Sequence, residues 1–223
     1  MGGRARLSQL FFQLRLSRRD QYDSLRIDPL AVRIAAIVLA AGKSERMGRP
    51  KALLPLRGRT FLENILATIK QSAIAETVVV VGHHADTILA AIPIEHSVIN
   101  LDYEKGMTTS IQAGIRELAS SVDGAMLFLV DHPVVEPATI DALIEHFRPG
   151  CIVLPTHQGR RGHPVLFSRT VMEEIAGLPP SVGANTIVWK DASRIVEVAL
   201  EDPGITIDID TPEQFETFQR GHQ

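Results

Sequence analysis

The sequence predicts an α/β protein, a single domain of three α/β/α layers on a mostly parallel, doubly wound sheet. Three observations point there. The runs Ile34–Ala41, Thr77–Val81 and Ala125–Val130 are almost continuously apolar, the pattern of strands buried on both faces. Segments with helical spacing alternate with them along the chain. The strand-like runs stop at Gly42, Gly82, Asn100 and Asp131, and in doubly wound sheets the carboxyl edge of the strands is where ligands collect.

A length of 223 residues suits one large domain, and 45% apolar residues supply its core. Residues 1–32 are expected to be an extension, poorly ordered or an over-called translation start, ahead of a domain over 33–223. The first nineteen residues hold five arginines and no acid, with Leu10-Phe11-Phe12 between them, too short and interrupted for a secretory signal. A net charge of −3 offers no field for nucleic acid or an anionic membrane. No stretch reaches the ~18 apolar residues needed to span a bilayer. The single cysteine, Cys151, excludes an intrachain disulfide and fits a reducing compartment, here expected to be the cytoplasm.

In order, the strand at Ile34–Ala41 breaks at Gly42 into a polar loop. Leu53–Leu56 is a short extended piece and Arg57-Gly58-Arg59 a turn. Thr60 caps a helix through Ile69, with Glu63 placed to complete a capping box. A strand at Thr77–Val81 leads to Gly82-His83-His84, then a helix over Asp86–Ala91 and a strand over His96–Ile99. Met107–Leu118 is helical, Ala125–Val130 a strand, Pro137–Phe147 a helix and Cys151–Leu154 a strand. A basic loop, Gln158–His163, precedes the apolar Pro164–Phe167. Residues 169–176 and 183–190 read as helices, Ile195–Leu200 and Ile205–Ile209 as strands. Thr211-Pro212-Glu213 opens the last helix.

The loop after the first strand carries Lys43, Arg46, Arg49 and Lys51 around Gly42 and Gly48. Backbone N–H groups at a glycine and nearby cations suit a polyphosphate. Five residues separate the two glycines and Arg49-Pro50 follows, so the Walker pattern fails, and no Gly-x-Gly-x-x-Gly exists. From Leu39 to Lys51 the stretch resembles the Leu-Ala-Ala-Gly-x-Ser-x-Arg-Met-Gly-x-x-Lys motif of nucleotidyltransferases with a glycosyltransferase-A-like fold. It is most similar to the molybdenum cofactor cytidylyltransferase branch.

The resemblance implies that Leu39, Ala40, Ala41, Gly42, Ser44, Arg46, Met47, Gly48 and Lys51 bind nucleotide. Gly82 joins them by its place at the carboxyl edge of the sheet, and the resemblance adds Asn100, Gly106 and Ser110 through an Asn-x5-Gly-Met-x-x-Ser element. Arg46, Lys51 and Asp131 are the expected catalytic residues. Asp131 and Asp210 each close an apolar run, where a carboxylate must project from the strand end. Such residues suit Mg2+, which takes hard oxygen ligands, and equally a turn or a helix cap. The resemblance favours metal: Asp131-His132-Pro133 matches the family's Asp-x-Pro, and Asp208–Glu213 its Asp-x-Asp-Thr-Pro-Glu. Strand alternation would put Asp208 and Asp210 on one face, and the resemblance selects Asp210. Gly162 and His163, in a Gly-His-Pro-Val-Leu-Phe element, are implied near the acceptor. His83 and His84, adjacent on an extended chain, make a poor metal pair.

The resemblance therefore implies a Mg2+-dependent enzyme that transfers NMP from CTP to a phosphorylated acceptor, molybdopterin, and releases pyrophosphate; a molybdoenzyme would be its downstream partner. Ala41 favours CTP, since the guanylyl branch tends to carry glycine there. Two departures bear on the acceptor: His132 stands where the branch tends to carry Gln, and residues 180–185 lack its Asp and Arg. The alternatives are a sugar or polyol phosphate acceptor, a guanylyltransferase of the same pathway, and a non-catalytic cofactor carrier.

Overall fold

The computed structural model describes residues 32–221. The expected extension lies outside them except for Val32. The main sheet contains β1 (Ile34–Ala40), β4 (Glu76–Val81), β5 (Ser97–Ile99), β6 (Gly124–Leu129), β7 (Ile152–His157), β8 (Arg160–Arg161), β9 (Val165–Ser168) and β10 (Ile195–Ala199). Its order is β10-β7-β9-β6-β1-β4-β5, with β8 paired to β7. The small strands β2 (Pro55–Leu56) and β3 (Arg59–Thr60) form a separate hairpin. The helices are α1 (Phe61–Lys70), α2 (Ala85–Ala91), α3 (Met107–Glu117), α4 (Pro137–Glu145), α5 (Arg169–Ala176), α6 (Asn185–Lys190) and α7 (Pro212–Gly221).

β1 lies at the centre, parallel to β4 on one side and β6 on the other. Every residue of β1 is buried, as its unbroken apolar sequence requires. Ala35, Ile37 and Leu39 pack with Ile111 of α3 and Val171 and Ile175 of α5. Ile34, Ala36 and Val38 alternate with them and are equally buried, so the sheet is covered on both faces. The chain lays β4 and β5 to one side of β1, then crosses over to β6. That reversal opens a crevice at the carboxyl ends of the strands.

α1 begins with the expected capping box: the Glu63 amide donates to Thr60 Oγ1 at 3.2 Å and the Thr60 amide donates to Glu63 Oε2 at 2.7 Å. The basic loop after β7 is a tight hairpin whose two turn residues, Gln158 and Gly159, both have positive φ (49° and 76°), the twist that matches paired strands. β9 is antiparallel to both neighbours, β6 and β7.

One expected strand does not form. Over Ile205–Ile209 the chain makes a 3-10 turn, Pro203–Thr206, and then runs extended. Pro203 lacks a ladder donor, and Asp202 ties the turn by accepting from the amides of Gly204 and Glu136 and from Thr139 Oγ1. The segment's bonds are isolated ones: the His163 amide donates to the Ile205 carbonyl, and the Ile209 amide donates to the Asp131 carbonyl. The second of these docks Asp210 next to the end of β6.

Candidate active site

The crevice at the carboxyl ends of β1 and β6 is a cleft of about 420 Å³. Of the sequence-selected residues, Leu39, Ala40, Ala41, Gly42, Ser44, Arg46, Lys51, Ser110, Asp131 and Asp210 line it. Gly42 sits where a Cβ would meet nothing within 4 Å, so the cleft beside the loop is open. Ser44 takes the left-handed conformation and its Oγ accepts from the Lys51 amide at 3.2 Å, closing the loop on itself. Gly48 ends the following 3-10 turn at φ 70°.

The charged residues converge at one end. Lys51 Nζ donates to Asp131 Oδ2 at 3.1 Å and to Asp210 Oδ1. Arg46 donates to the other oxygen, Asp210 Oδ2, at 2.5 Å. Hydrogen bonding to Lys51, more than the Coulombic attraction, holds the Asp210 carboxyl below the usual range, against an opposing effect of burial. Asp131 Oδ1 is buried with no hydrogen-bond partner among the described residues. A pair of carboxylates with one uncommitted buried oxygen fits a hard divalent cation that completes its shell with water and phosphate oxygens.

The other sequence-selected residues support the cleft from outside. Met47 points into a core with Leu54, Leu56, Phe61, Ile209, Phe215 and Phe218. Gly82 lies against the glycine loop: a Cβ there would meet the Ala41 carbonyl at 2.7 Å, while the His83 amide donates to that same oxygen. Asn100 is buried and donates to Thr109 Oγ1 and Ser110 Oγ, and its Oδ1 accepts from the Asp102 amide, so it moulds the entry to α3. Gly106 is the residue before that helix. Asp208 is exposed and lines a shallow groove with Ile207 and Glu213, whereas Asp210 lines the cleft; both carboxylates act on His132. His83 meets the Tyr103 hydroxyl, and His84 Nε2 meets the Lys43 carbonyl.

Gly162 and His163 do not line the cleft. His163 lies behind it, its ring 4.9 Å from that of His132, which neighbours Asp131. The Nδ1 atoms of both rings are buried without a hydrogen-bond partner among the described residues. Burial, reinforced by the neighbouring His132, pushes the His163 pKa down to about 4, and burial lowers His132 as well. The Asp-His-Pro departure marked His132 in the sequence, but its pairing with His163 is a tertiary fact. Tyr103, His84, Ile88 and Leu129 also line the cleft, and no motif pointed to them.

The depressed pKa of His163 makes stability pH-dependent. An unfolded histidine titrates near 6.5, so between about 6.5 and 4 the unfolded chain takes up a proton that the native ring refuses. Stability is full above that window and falls as pH drops through it, by about 3 kcal/mol for this group. Urea unfolding at pH 7 and pH 4.5 is expected to show a smaller pH-dependent loss for His163→Gln than for the parent protein. Equal losses in the two proteins would contradict this assignment.

A family model described as the MobA-like NTP transferase domain matches residues 36–195. The chain belongs to this family. The match thus runs from the third residue of β1 to the first residue of β10. The chain is 31% identical over 192 residues to a nicotine blue oxidoreductase of Paenarthrobacter nicotinovorans, covering 81% of this chain and 94% of that one. It is 29% identical over 189 residues to a molybdenum cofactor cytidylyltransferase of Escherichia coli, with coverages of 82% and 94%. The crystal structure of Rv0371c from Mycobacterium tuberculosis matches with a TM-score of 0.74 and 28% identity, over 85% of this chain and 99% of that one. Rv0371c has also been solved in complex with manganese. As a MobA-like NTP transferase the protein is a nucleotidyltransferase, and among its described residues no helix is long and apolar enough to cross a membrane.

Proposed function

We propose that this nucleotidyltransferase is a Mg2+-dependent CTP:molybdopterin cytidylyltransferase that acts in the cytoplasm and supplies a molybdoenzyme. The observation that carries the reading is the meeting of Lys51, Asp131 and Asp210 at the end of a cleft lined by the glycine loop. Its likeness to the Escherichia coli cytidylyltransferase supports the choice of substrates.

The backbone at Ala41 and Gly42 and the Ser110 hydroxyl would receive the nucleotide along the cleft. Arg46 and Lys51 would neutralise the triphosphate and orient it for in-line displacement at the α-phosphorus. Asp131 and Asp210 would hold Mg2+, which when bound supplies charge neutralisation on the phosphoryl oxygens. The attacking group is the acceptor's own phosphate oxygen, which has a second pKa of about 6 and is ionised at neutral pH. It needs no general base, so the chain's contribution is positioning and charge stabilisation. Gly162 and His163, behind Asp131, would shape the acceptor side through His132.

The test is pyrophosphate release with Mg2+ from CTP and, separately, GTP, each with molybdopterin-type cofactor as acceptor. Release with CTP alone is the expected result. Release with GTP alone would overturn the base assignment drawn from Ala41. Silence with both, while a nucleotide still binds, would overturn the acceptor and move the search to sugar and polyol phosphates. A second reading follows from the Paenarthrobacter relative, whose name denotes redox chemistry; under it CTP would be left intact and no pyrophosphate formed.

A further inference from the structure

The two carboxylates at the end of the cleft already have counter-cations of their own. Lys51 Nζ lies between them, bonded to Asp131 Oδ2 and Asp210 Oδ1, and its side chain is only 11% exposed. Arg46 takes Asp210 Oδ2. Of the four carboxylate oxygens, Asp131 Oδ1 alone has no hydrogen-bond partner among the described residues, with His132 Nε2 4.0 Å away. Two carboxylate charges are thus balanced by two cations, and both carboxylates lie within reach of a single ammonium nitrogen.

We propose that Lys51 is the resident counter-ion of the Asp131–Asp210 pair and competes with the divalent cation for it, so that metal and nucleotide must bind together. The inference deepens the nucleotidyltransferase reading and rests on it. A divalent cation arriving alone must displace an ammonium that is already desolvated and hydrogen-bonded to both ligands, and its charge would lie next to that ammonium. A triphosphate in the cleft offers Lys51 other oxygens. The four-carbon stem lets the ammonium turn to them without moving the loop, because the Lys51 amide stays on Ser44 Oγ. The carboxylates are then released in the same step that brings phosphate oxygens to complete the metal's shell. Coupling of this kind is reciprocal: nucleotide must raise metal affinity by the factor by which metal raises nucleotide affinity.

The experiment is a titration of the full chain with Mn2+ alone, read by the electron paramagnetic resonance of free Mn2+, for the parent, Lys51→Met and Lys51→Met/Asp131→Asn. The parent is expected to bind Mn2+ weakly, Lys51→Met about tenfold or more tightly than the parent, and the double variant to lose that gain. Equal or weaker binding by Lys51→Met overturns the proposal, as does a gain that survives Asp131→Asn. Should Lys51→Met fail to fold, the unaltered protein decides: Mn2+ is expected to raise its CTP affinity by about tenfold or more, and no such coupling overturns the proposal. Failure of CTP to bind would count against the substrate reading, whereas the Mn2+-only series still decides the role of Lys51.

Discussion

Asp131→Asn is expected to lower kcat by about 10²–10³-fold and to leave the fold intact, the usual effect of removing one electrostatic group from a preorganised site. The substitution keeps the side chain's shape and deletes its charge. The backbone bond that matters locally, from the Ile209 amide to the Asp131 carbonyl, is untouched. Lys51 keeps Asp210 as its partner. The stability cost is therefore small, and the loss falls on the metal and on the phosphates it would neutralise. Because such an interaction is stronger in the transition state than with bound substrate, kcat should fall more than KM rises. Steady-state pyrophosphate release on the purified variant, with a melting curve beside it, checks this. A variant retaining more than about a tenth of parental kcat would remove Asp131 from the catalytic set.

Phe61→Ala is expected to destabilise the protein by about 3–5 kcal/mol and to weaken nucleotide binding in whatever fraction remains folded. Phe61 is fully buried at the start of α1, edge-on to Phe215 at 5.8 Å between ring centroids. Its cluster also contains Met47 and Ile209. Met47 follows Arg46 in the glycine loop, and Ile209 precedes Asp210. The cavity left by the ring would therefore loosen both walls that bring Arg46 to Asp210. Urea unfolding with CTP titration calorimetry at a temperature where the variant is folded checks both parts. A loss of stability with unchanged CTP affinity would show that the cluster supports the fold but not the site.

Much of the fold was legible because burial on both faces leaves a plain mark. β1 was evident from its unbroken apolar run, and α1 from Thr60 and Glu63, whose reciprocal bonds are local chemistry. Strand direction was not legible: Val165–Ser168 is antiparallel to both neighbours, and apolar periodicity is the same either way round. Ile205–Ile209 shows a strand pattern, but Pro203 and the Asp202-capped turn leave it without a ladder.

At the site, the stretch from Leu39 to Lys51 marked the cleft because close backbone approach and cations are needed in one short loop. The pattern did not separate residues that line the cleft from those that hold it up. Met47 and Asn100 belong to the motifs yet are buried beside the cleft, one in a core and the other in a hydrogen-bond network. Nor did it show that Lys51 spans both carboxylates, because that contact joins positions 159 residues apart.

Nucleotidyl transfer itself can be followed with α-32P-labelled CTP, molybdopterin-type acceptor and Mg2+. Label is expected to move to the acceptor in step with pyrophosphate release, one for one. CTP left intact, with no label on the acceptor and no pyrophosphate formed, would contradict it.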